Sequence, residues 1–236
     1  MCGRVRLSSD LREIKIAFGI PPERPAPNFP PTWNGAPTDT FPIVGYNAKE
    51  GHRGLTLMRW GLIPYWAKDG KVGFANINAK AETVDSKPAF REAFARGRRC
   101  LVPVDNFYEW KKTATGKQPY AIGLADGGIM ALAGLWETWK SPAGERALSF
   151  TIITCEPNAL CAELHNRMPV VLAPDTWPMW LDEEPADVPH LKALLAPYPA
   201  DGMKCWPVSP RVGNVKNNDP SLIEPLAAAG VFGGDP

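Results

Sequence analysis

Prolines occur along the whole of this chain and limit the regular structure that it can form. There are 26 of them in 236 residues, in otherwise mixed sequence. Because proline lacks a backbone N–H and has a fixed φ, it interrupts helix interiors and central strands and favours turns. The sequence therefore predicts short elements joined by many irregular connections, rather than a disordered tract.

Hydrophobic patterning places strands and short helices between these breaks. The predicted strands are residues 55–64, 99–112, 118–124, 128–139, 147–155 and 204–209. The predicted helices are residues 8–20, 85–99, 157–165, 174–181 and 188–196, and residues 21–45 are predicted to form an extended loop. Strands and helices do not alternate regularly. This favours the α+β class, with an irregular, mostly antiparallel β-sheet or barrel-like core surrounded by short helices.

Start signals mark the first two of these helices. Asp10 can cap the first, and Glu13 three residues later completes a capping box. Ser86 is expected to cap the second, with Pro88 in its first turn and basic residues at its C-terminal end.

No internal repeat or shift in composition marks a domain boundary. The chain is long enough to bury a substantial core. We therefore expect a single domain over residues 1–225 and a loose C-terminal tail over residues 226–236.

Charge and cysteine usage argue against several classes of protein. The net charge is +1, so a nucleic-acid site would have to be a local basic patch. The five cysteines form no CxxC pair and the three histidines are dispersed, so no disulfide framework, metal site or cofactor is expected. The chain has no apolar run of the roughly 18 residues that a membrane helix needs, and no signal-peptide core. We expect a reduced, cytoplasmic protein with no membrane contact.

Four residues could carry chemistry, although each also has an ordinary structural interpretation. Cys2 follows the initiator methionine, and could be a frayed end or, after methionine removal, an N-terminal residue with an amine and a thiol on adjacent carbons. Glu109 lies between two aromatic residues, either facing solvent or partly desolvated with a raised pKa. His165 is at a predicted helix end, where histidines are often structural. Asn78 could be a turn or capping residue.

Several tryptophans and basic residues could form either core or a nucleic-acid surface. Tryptophan is usually buried, but here it alternates with cations in a way that suits base stacking beside a phosphate groove. The residues in question are Trp60, Trp66, Trp110, Arg4, Arg59, Lys68, Lys111 and Lys112.

Six motifs in a fixed order give the chain a family resemblance. They are "MCGR", "RWGLIP", "INAKAET", "VPVDNFYEWKK", "HNRMPVVL" and "VSPRVGNVKN". In this order they resemble the SOS response-associated peptidase (SRAP) family of abasic-site processing proteins, from Cys2 to about Asn218. The resemblance implies a DNA-repair role in the SOS response, in which the N-terminal cysteine crosslinks to an abasic site in single-stranded DNA.

The resemblance also implies site residues. Cys2 matches the nucleophile, and Asn78, Glu109 and His165 match the other catalytic positions. Arg4, Lys80 and Arg167 match family positions near the DNA backbone. The residues themselves add Trp66 and Trp110 for base stacking and Arg211 and Lys216 as backbone contacts, which completes the expected DNA-binding set.

Three departures from the family pattern are visible. Lys80 stands where arginine is common, so one phosphate contact would be a point charge rather than a fork. Asn106 stands where glycine is frequent, and a Pro-Arg pair precedes the "VGN" segment. None of these changes removes a reactive group.

The expected chemistry follows from the functional groups of an N-terminal cysteine. An abasic deoxyribose opens to an aldehyde, the α-amine converts it to an imine, and the thiol closes a thiazolidine ring. An α-amine titrates near ~8, so a useful fraction is neutral at physiological pH. Glu109 would open the sugar and help to dehydrate the carbinolamine, His165 would assist imine formation, reversal or β-elimination, and Asn78 would orient the reactants.

Two other functions are open at this point. Cys2 and His165 could form the nucleophile pair of a cysteine peptidase that also cleaves its own N-terminus. Alternatively, the chain could be a non-catalytic single-stranded DNA-binding module without a covalent step. In the favoured interpretation the partner is single-stranded DNA with an abasic site, the protein is a monomer, and it associates with the nucleoid on damaged DNA.

Overall fold

A computed structural model describes residues 2–226 of the chain. Within this range there are two β-sheets and five short α-helices, so the α+β prediction is confirmed. The predicted loose tail lies outside the described residues, except for its first residue.

Twelve strands form the two sheets. They are β1 (Val5–Leu7), β2 (Thr32–Gly35), β3 (Thr40–Asn47), β4 (His52–Trp60), β5 (Asn78–Lys80), β6 (Arg99–Val104), β7 (Asn106–Thr113), β8 (Gly116–Leu124), β9 (Met130–Lys140), β10 (Arg146–Cys155), β11 (Met168–Pro169) and β12 (Met203–Pro207).

The larger sheet closes into a small barrel. Its strands follow the order β10-β4-β3-β6-β9, and β9 pairs again with β10, which joins the two ends. The β10–β4 and β10–β5 pairings are parallel and the others are antiparallel. Aromatic side chains fill the barrel: the ring centroids of Phe41, Trp60 and Phe150 are 5.9–6.2 Å apart.

The smaller sheet has the order β12-β8-β7-β1-β2. It places the N-terminal strand β1 between β2 and β7, with both neighbours antiparallel. Phe107 and Ile122 on one face pack into the main core, whereas Tyr108 and Ala121 on the other face pack against a second cluster that includes Val212.

The five α-helices are all short. They are α1 (Leu11–Ala17), α2 (Arg91–Ala95), α3 (Ala159–Ala162), α4 (Trp177–Leu181) and α5 (Val188–Ala193). Besides these helices there are short 3₁₀ segments, at Gly70–Asn76, Ala81–Thr83, Pro174–Thr176, Ala200–Gly202, Pro210–Gly213 and Pro220–Ile223. No helix among the described residues has the length and apolar character needed to cross a bilayer.

Helix α1 has the predicted start. The Glu13 N–H donates to the Asp10 side chain, and the Glu13 carboxylate accepts from the Asp10 N–H, each at 2.8 Å. The capping box is therefore confirmed.

The predicted helix over residues 85–99 is wrong at both ends. Only Arg91–Ala95 is α-helical. Pro88 disfavours helical backbone at Lys87, which is one reason why the helix does not begin after Ser86. Ser86 does not cap a helix, since its hydroxyl donates to the Thr83 carbonyl. At the other end Gly97, with φ +67°, stops the helix.

Two other predictions need correction. Residues 21–45 are not all loop, because β2 pairs with β1 and β3 pairs with β4, contacts that local sequence does not reveal. The predicted strand 99–112 is two strands, β6 in the barrel and β7 in the smaller sheet. The break is at Asp105, whose carboxylate accepts hydrogen bonds from the backbone N–H groups of Ser8 and Ser9 at 2.6 and 3.0 Å.

Candidate active site

Pairing between β1 and β7 brings the N-terminus to Glu109. Val5 lies opposite Phe107, and the Tyr108 N–H donates to the Arg4 carbonyl at 3.0 Å. The same register, continued toward the N-terminus, places Gly3 opposite Glu109. Cys2 is the next residue in that direction and so lies beside Glu109. Cys2 is fully buried and Glu109 is 5% exposed.

Burial changes the acid–base properties of Glu109. Desolvation of the carboxylate raises its pKa from an ordinary value of 4.5 to about 7. Near neutral pH the group is therefore present in both protonated and ionised forms, which suits a residue that gives and takes protons.

The Cys2 thiol is held in its neutral form. Burial raises its pKa far above the ordinary value, and the nearby Glu109 charge adds to the effect. Cys161 is also an electrostatic neighbour of both Cys2 and Glu109, so a second thiol lies near the site. Nothing in the sequence motifs indicated this neighbour.

His165 follows α3 and has a defined orientation. Its backbone N–H donates to the Cys161 carbonyl at 2.9 Å, and its ring Nδ1 accepts the Arg167 N–H at 3.1 Å. The neutral ring therefore carries its proton on Nε2. Burial lowers the pKa of His165, so the neutral form predominates at physiological pH.

One open cavity of about 890 Å³ contains both Glu109 and His165. Its walls come from β7, β8 and the segment around α3. The residues that line it are Glu109, Trp110, Lys111, Lys112, Lys117, Pro157, Ala162, Glu163, Leu164, His165 and Asn166. The structure thus places two of the predicted catalytic residues in one cavity, with Cys2 beside Glu109.

Asn78 does not line this cavity. It lies on β5, opposite Ile152 of β10, and its Nδ2 donates to the Ile77 carbonyl at 3.0 Å. Its Oδ1 is buried and accepts no hydrogen bond from the described residues. This oxygen could accept one from a substrate hydroxyl or an amine.

Lys80 and Arg167 lie on either side of β10. Thr154 pairs with Lys80 on one side and with Pro169 on the other, and its carbonyl accepts from Arg167 at 2.6 Å. Arg167 also forms a two-pronged ion pair with Glu82, at 2.6 and 3.0 Å. This hydrogen bonding lowers the pKa of Glu82.

Arg4 is half-buried and bound within the protein. Its guanidinium donates to Asn34 Oδ1 at 2.7 Å and to the Val212 carbonyl at 2.6 Å, and it stacks over the Trp110 ring at 5.9 Å. It therefore ties β1 to the turn at residues 210–213 and also positions Trp110.

The other predicted DNA contacts lie outside the cavity. Trp66 is 52% exposed, Arg211 is paired with Asp219 at 2.8 Å, and Lys216 is exposed. Two further exposed rings, Tyr65 and Phe74, belong to the same chain segment as Trp66 and were missed in the sequence. Lys117 was also missed, because only the β7–β8 register reveals its place beside Lys112.

The described residues contain no group of three or more His, Cys, Asp or Glu side chains placed to hold a metal ion. The chemistry available at the site is that of a thiol, a carboxyl, an imidazole and nearby cations.

The fold and the site define an α+β barrel protein in which an N-terminal strand brings a cysteine beside a buried carboxyl. The family model of the SOS response associated peptidase (SRAP) matches residues 1–215. The chain belongs to this family, which confirms the resemblance seen in the motifs.

Named relatives agree with this assignment. The chain is similar to abasic site processing protein YoqW of Bacillus subtilis (strain 168), at 41% identity over 95% of this chain and 99% of the relative. It is also similar to abasic site processing protein HMCES of Gallus gallus, at 31% identity over 83% of this chain and 66% of the relative.

Solved structures share the fold. A protein from Bacteroides thetaiotaomicron superposes with a TM-score of 0.85 at 23% identity, over 96% of this chain and 100% of that chain. A protein from Bordetella bronchiseptica superposes with a TM-score of 0.75 at 26% identity, over 88% of this chain and 100% of that chain.

Proposed function

We propose that this protein processes abasic sites in single-stranded DNA by capturing them covalently through Cys2. The observation that carries the proposal is the position of Cys2, buried next to a carboxyl with a pKa of about 7. The names of its relatives, abasic site processing proteins, support the substrate.

Removal of Met1 leaves the α-amine and thiol of Cys2 on adjacent carbons. The neutral amine adds to the C1 aldehyde of the opened sugar and gives a carbinolamine, which loses water to form an imine. The thiol sulfur then adds to the imine carbon, its proton passes to the nitrogen, and a thiazolidine ring closes. The net change is the loss of one water molecule, with no oxidant or reductant required.

Glu109 supplies protons at two steps of this reaction. In its protonated form it donates to the ring oxygen as the sugar opens and to the departing hydroxyl of the carbinolamine. His165, with its proton on Nε2, serves as the second proton carrier across the same cavity, in imine formation or in its reversal. Asn78 contributes a hydrogen-bond acceptor, and Arg4, Lys80, Arg167, Trp66 and Trp110 would hold the strand.

The state of the Cys2 thiol favours this chemistry over a peptidase. A cysteine peptidase needs a thiolate paired with an imidazolium, whereas burial keeps Cys2 protonated and His165 neutral. In the thiazolidine route the amine attacks first, and the thiol adds only to an imine that is already formed.

Intact-protein mass spectrometry before and after mixing with an abasic oligonucleotide tests the proposal. The expected result is loss of Met1, followed by an adduct whose mass is the sum of protein and DNA less one water. Cys2→Ala should form no stable adduct. A matched control that keeps residues ahead of Cys2, through an uncleaved N-terminal extension, should also form none although its thiol is present. An adduct with either variant would contradict the proposal, and a heat-labile complex that does not depend on Cys2 would favour the simple binding module.

A further inference from the structure

Two lysines face each other at the end of the β7–β8 hairpin. Lys112 of β7 pairs in register with Lys117 of β8, so both side chains project from the same face of the sheet. Like charges directly opposite each other on antiparallel strands are destabilising. Neither ammonium is held by a carboxylate of the described residues, whereas the neighbouring Lys111 lies 3.6 Å from Glu163. An anion placed between Lys112 and Lys117 would remove this repulsion.

The lysine pair adjoins the candidate active site. Both lysines line the cavity that contains Glu109 and His165. Residues 111–113 of β7 pair only with β8 in the described structure, since β1 pairs with β7 nearer its start. The cavity therefore includes residues of β7 that lie at an edge of the smaller sheet, beyond the pairing with β1.

An aromatic ring and a further cation extend from this pair along one face. Trp110 and Lys112 are two residues apart on β7 and share a face, and Arg4 stacks over the Trp110 ring at 5.9 Å. The face thus presents, in order, Arg4, Trp110 and the Lys112–Lys117 pair. Such a row suits a single strand of nucleic acid. The cations can contact its phosphates, and the aromatic ring can stack on an unpaired base between those contacts.

We propose that Lys112 and Lys117 form a phosphate-binding subsite that holds a phosphodiester of the single strand flanking the abasic residue. The inference rests on the proposed function and deepens it, because it states where the strand leaves the cavity: over the edge of β7 toward Trp110. The two ammonium groups bracket one phosphate as point charges on flexible stems, so the contact is independent of base sequence.

Reversible binding of an unmodified, fluorescently labelled oligodeoxythymidine, measured by anisotropy from 50 to 300 mM NaCl, tests the subsite. The K112Q/K117Q variant should bind about tenfold more weakly at 50 mM NaCl. Its slope of log affinity against log salt should be shallower by about 0.7 for each lysine removed. The matched control is K49Q/K140Q. It removes two exposed lysines of the barrel sheet, one in the turn between β3 and β4 and one at the end of β9, and should retain the wild-type affinity and slope. Equal slopes for the two double variants would overturn the inference.

Neutral phosphate substitutions then locate the contact. In a strand that carries a tetrahydrofuran analogue of the abasic residue, which cannot open to an aldehyde, replacing single phosphates by methylphosphonates should weaken binding to the wild type at one position beside the analogue, and this loss should disappear in K112Q/K117Q. A loss of equal size in both proteins at every position would count against the subsite.

These measurements separate the subsite from the proposed covalent chemistry. If the wild type forms no adduct but K112Q/K117Q still loses affinity and salt slope, the proposed function is wrong and the subsite stands. If the adduct forms while K112Q/K117Q binds like the control, the subsite is wrong and the proposed function stands. A wild type that does not bind the strand contradicts the subsite.

Discussion

The backbone N–H of Arg167 donates to Nδ1 of His165 over 3.1 Å. This contact within three consecutive residues places the proton of the neutral ring on Nε2. It also links the orientation of the histidine to Arg167, whose side chain is anchored to Glu82 and to Thr154.

Replacing this imidazole should slow the capture of abasic DNA. We expect His165→Gln to reduce the rate of adduct formation about 100-fold, since a positioned acid–base group contributes roughly 10²–10⁴. Glutamine keeps hydrogen-bonding groups near the same place but cannot transfer a proton at neutral pH. Quenched time courses on denaturing gels measure the rate, and a variant within twofold of wild type would show that His165 does not take part.

The raised pKa of Glu109 should appear in the pH dependence of the reaction. The protonated carboxyl is lost as pH rises through about 7, while the neutral amine is gained toward its ordinary pKa near ~8. We therefore expect a bell-shaped profile of adduct formation with a maximum between about pH 7 and 8. Glu109→Gln should be slower throughout and should lack the alkaline decline. If the alkaline decline in rate persists in this variant, another titrating group causes it.

The same carboxyl should make stability depend on pH. Because the folded-state pKa lies above the ordinary value of 4.5, the native state binds more protons than the unfolded chain between about pH 4.5 and 7. Stability should therefore fall across this window as pH rises and level off above it, by up to about 3 kcal/mol. Glu109→Gln should remove this decline and unfold at a higher temperature than wild type at pH 8. Thermal unfolding at pH 5, 7 and 8 measures this pH dependence of stability. Parallel plots of melting temperature against pH for the two proteins would refute the prediction.

Removing the Glu82 charge should strengthen DNA binding. Glu82 neutralises Arg167 through two contacts and lies near Lys80. Its side chain is about half exposed, so the pair contributes little to stability. We expect Glu82→Gln to raise the affinity for an unmodified single strand about two- to fivefold at low salt. Fluorescence anisotropy measures this, with Glu92→Gln, which breaks an exposed pair with Arg96, as a matched control. An unchanged affinity would indicate that Arg167 does not contact DNA.

Local signals in the sequence predicted part of this fold well. The capping box at Asp10 and Glu13 depends on residues close together in the chain, and it is present. The split of residues 99–112 into β6 and β7 could not be predicted, because Asp105 bends the chain by accepting hydrogen bonds from Ser8 and Ser9, almost a hundred residues away.

The candidate site shows the same division. Motifs indicated Cys2, Glu109 and His165 separately as candidates. Their proximity in space depends on the β1–β7 register and on the position of α3. Lys117 carried no motif, and only its place across from Lys112 gives it significance.

The central position of β1 has a consequence for the protein during its synthesis. Because β1 pairs with β7, the candidate site beside Cys2 cannot assemble until residues 106–113 have been made. In the finished fold Cys2 is fully buried. A 1,2-aminothiol free in solution reacts with any small aldehyde that it meets, whereas Cys2 is enclosed once the chain has folded. Under the proposed function, this burial would keep the aminothiol from the aldehydes of ordinary metabolism until a strand presents the abasic sugar.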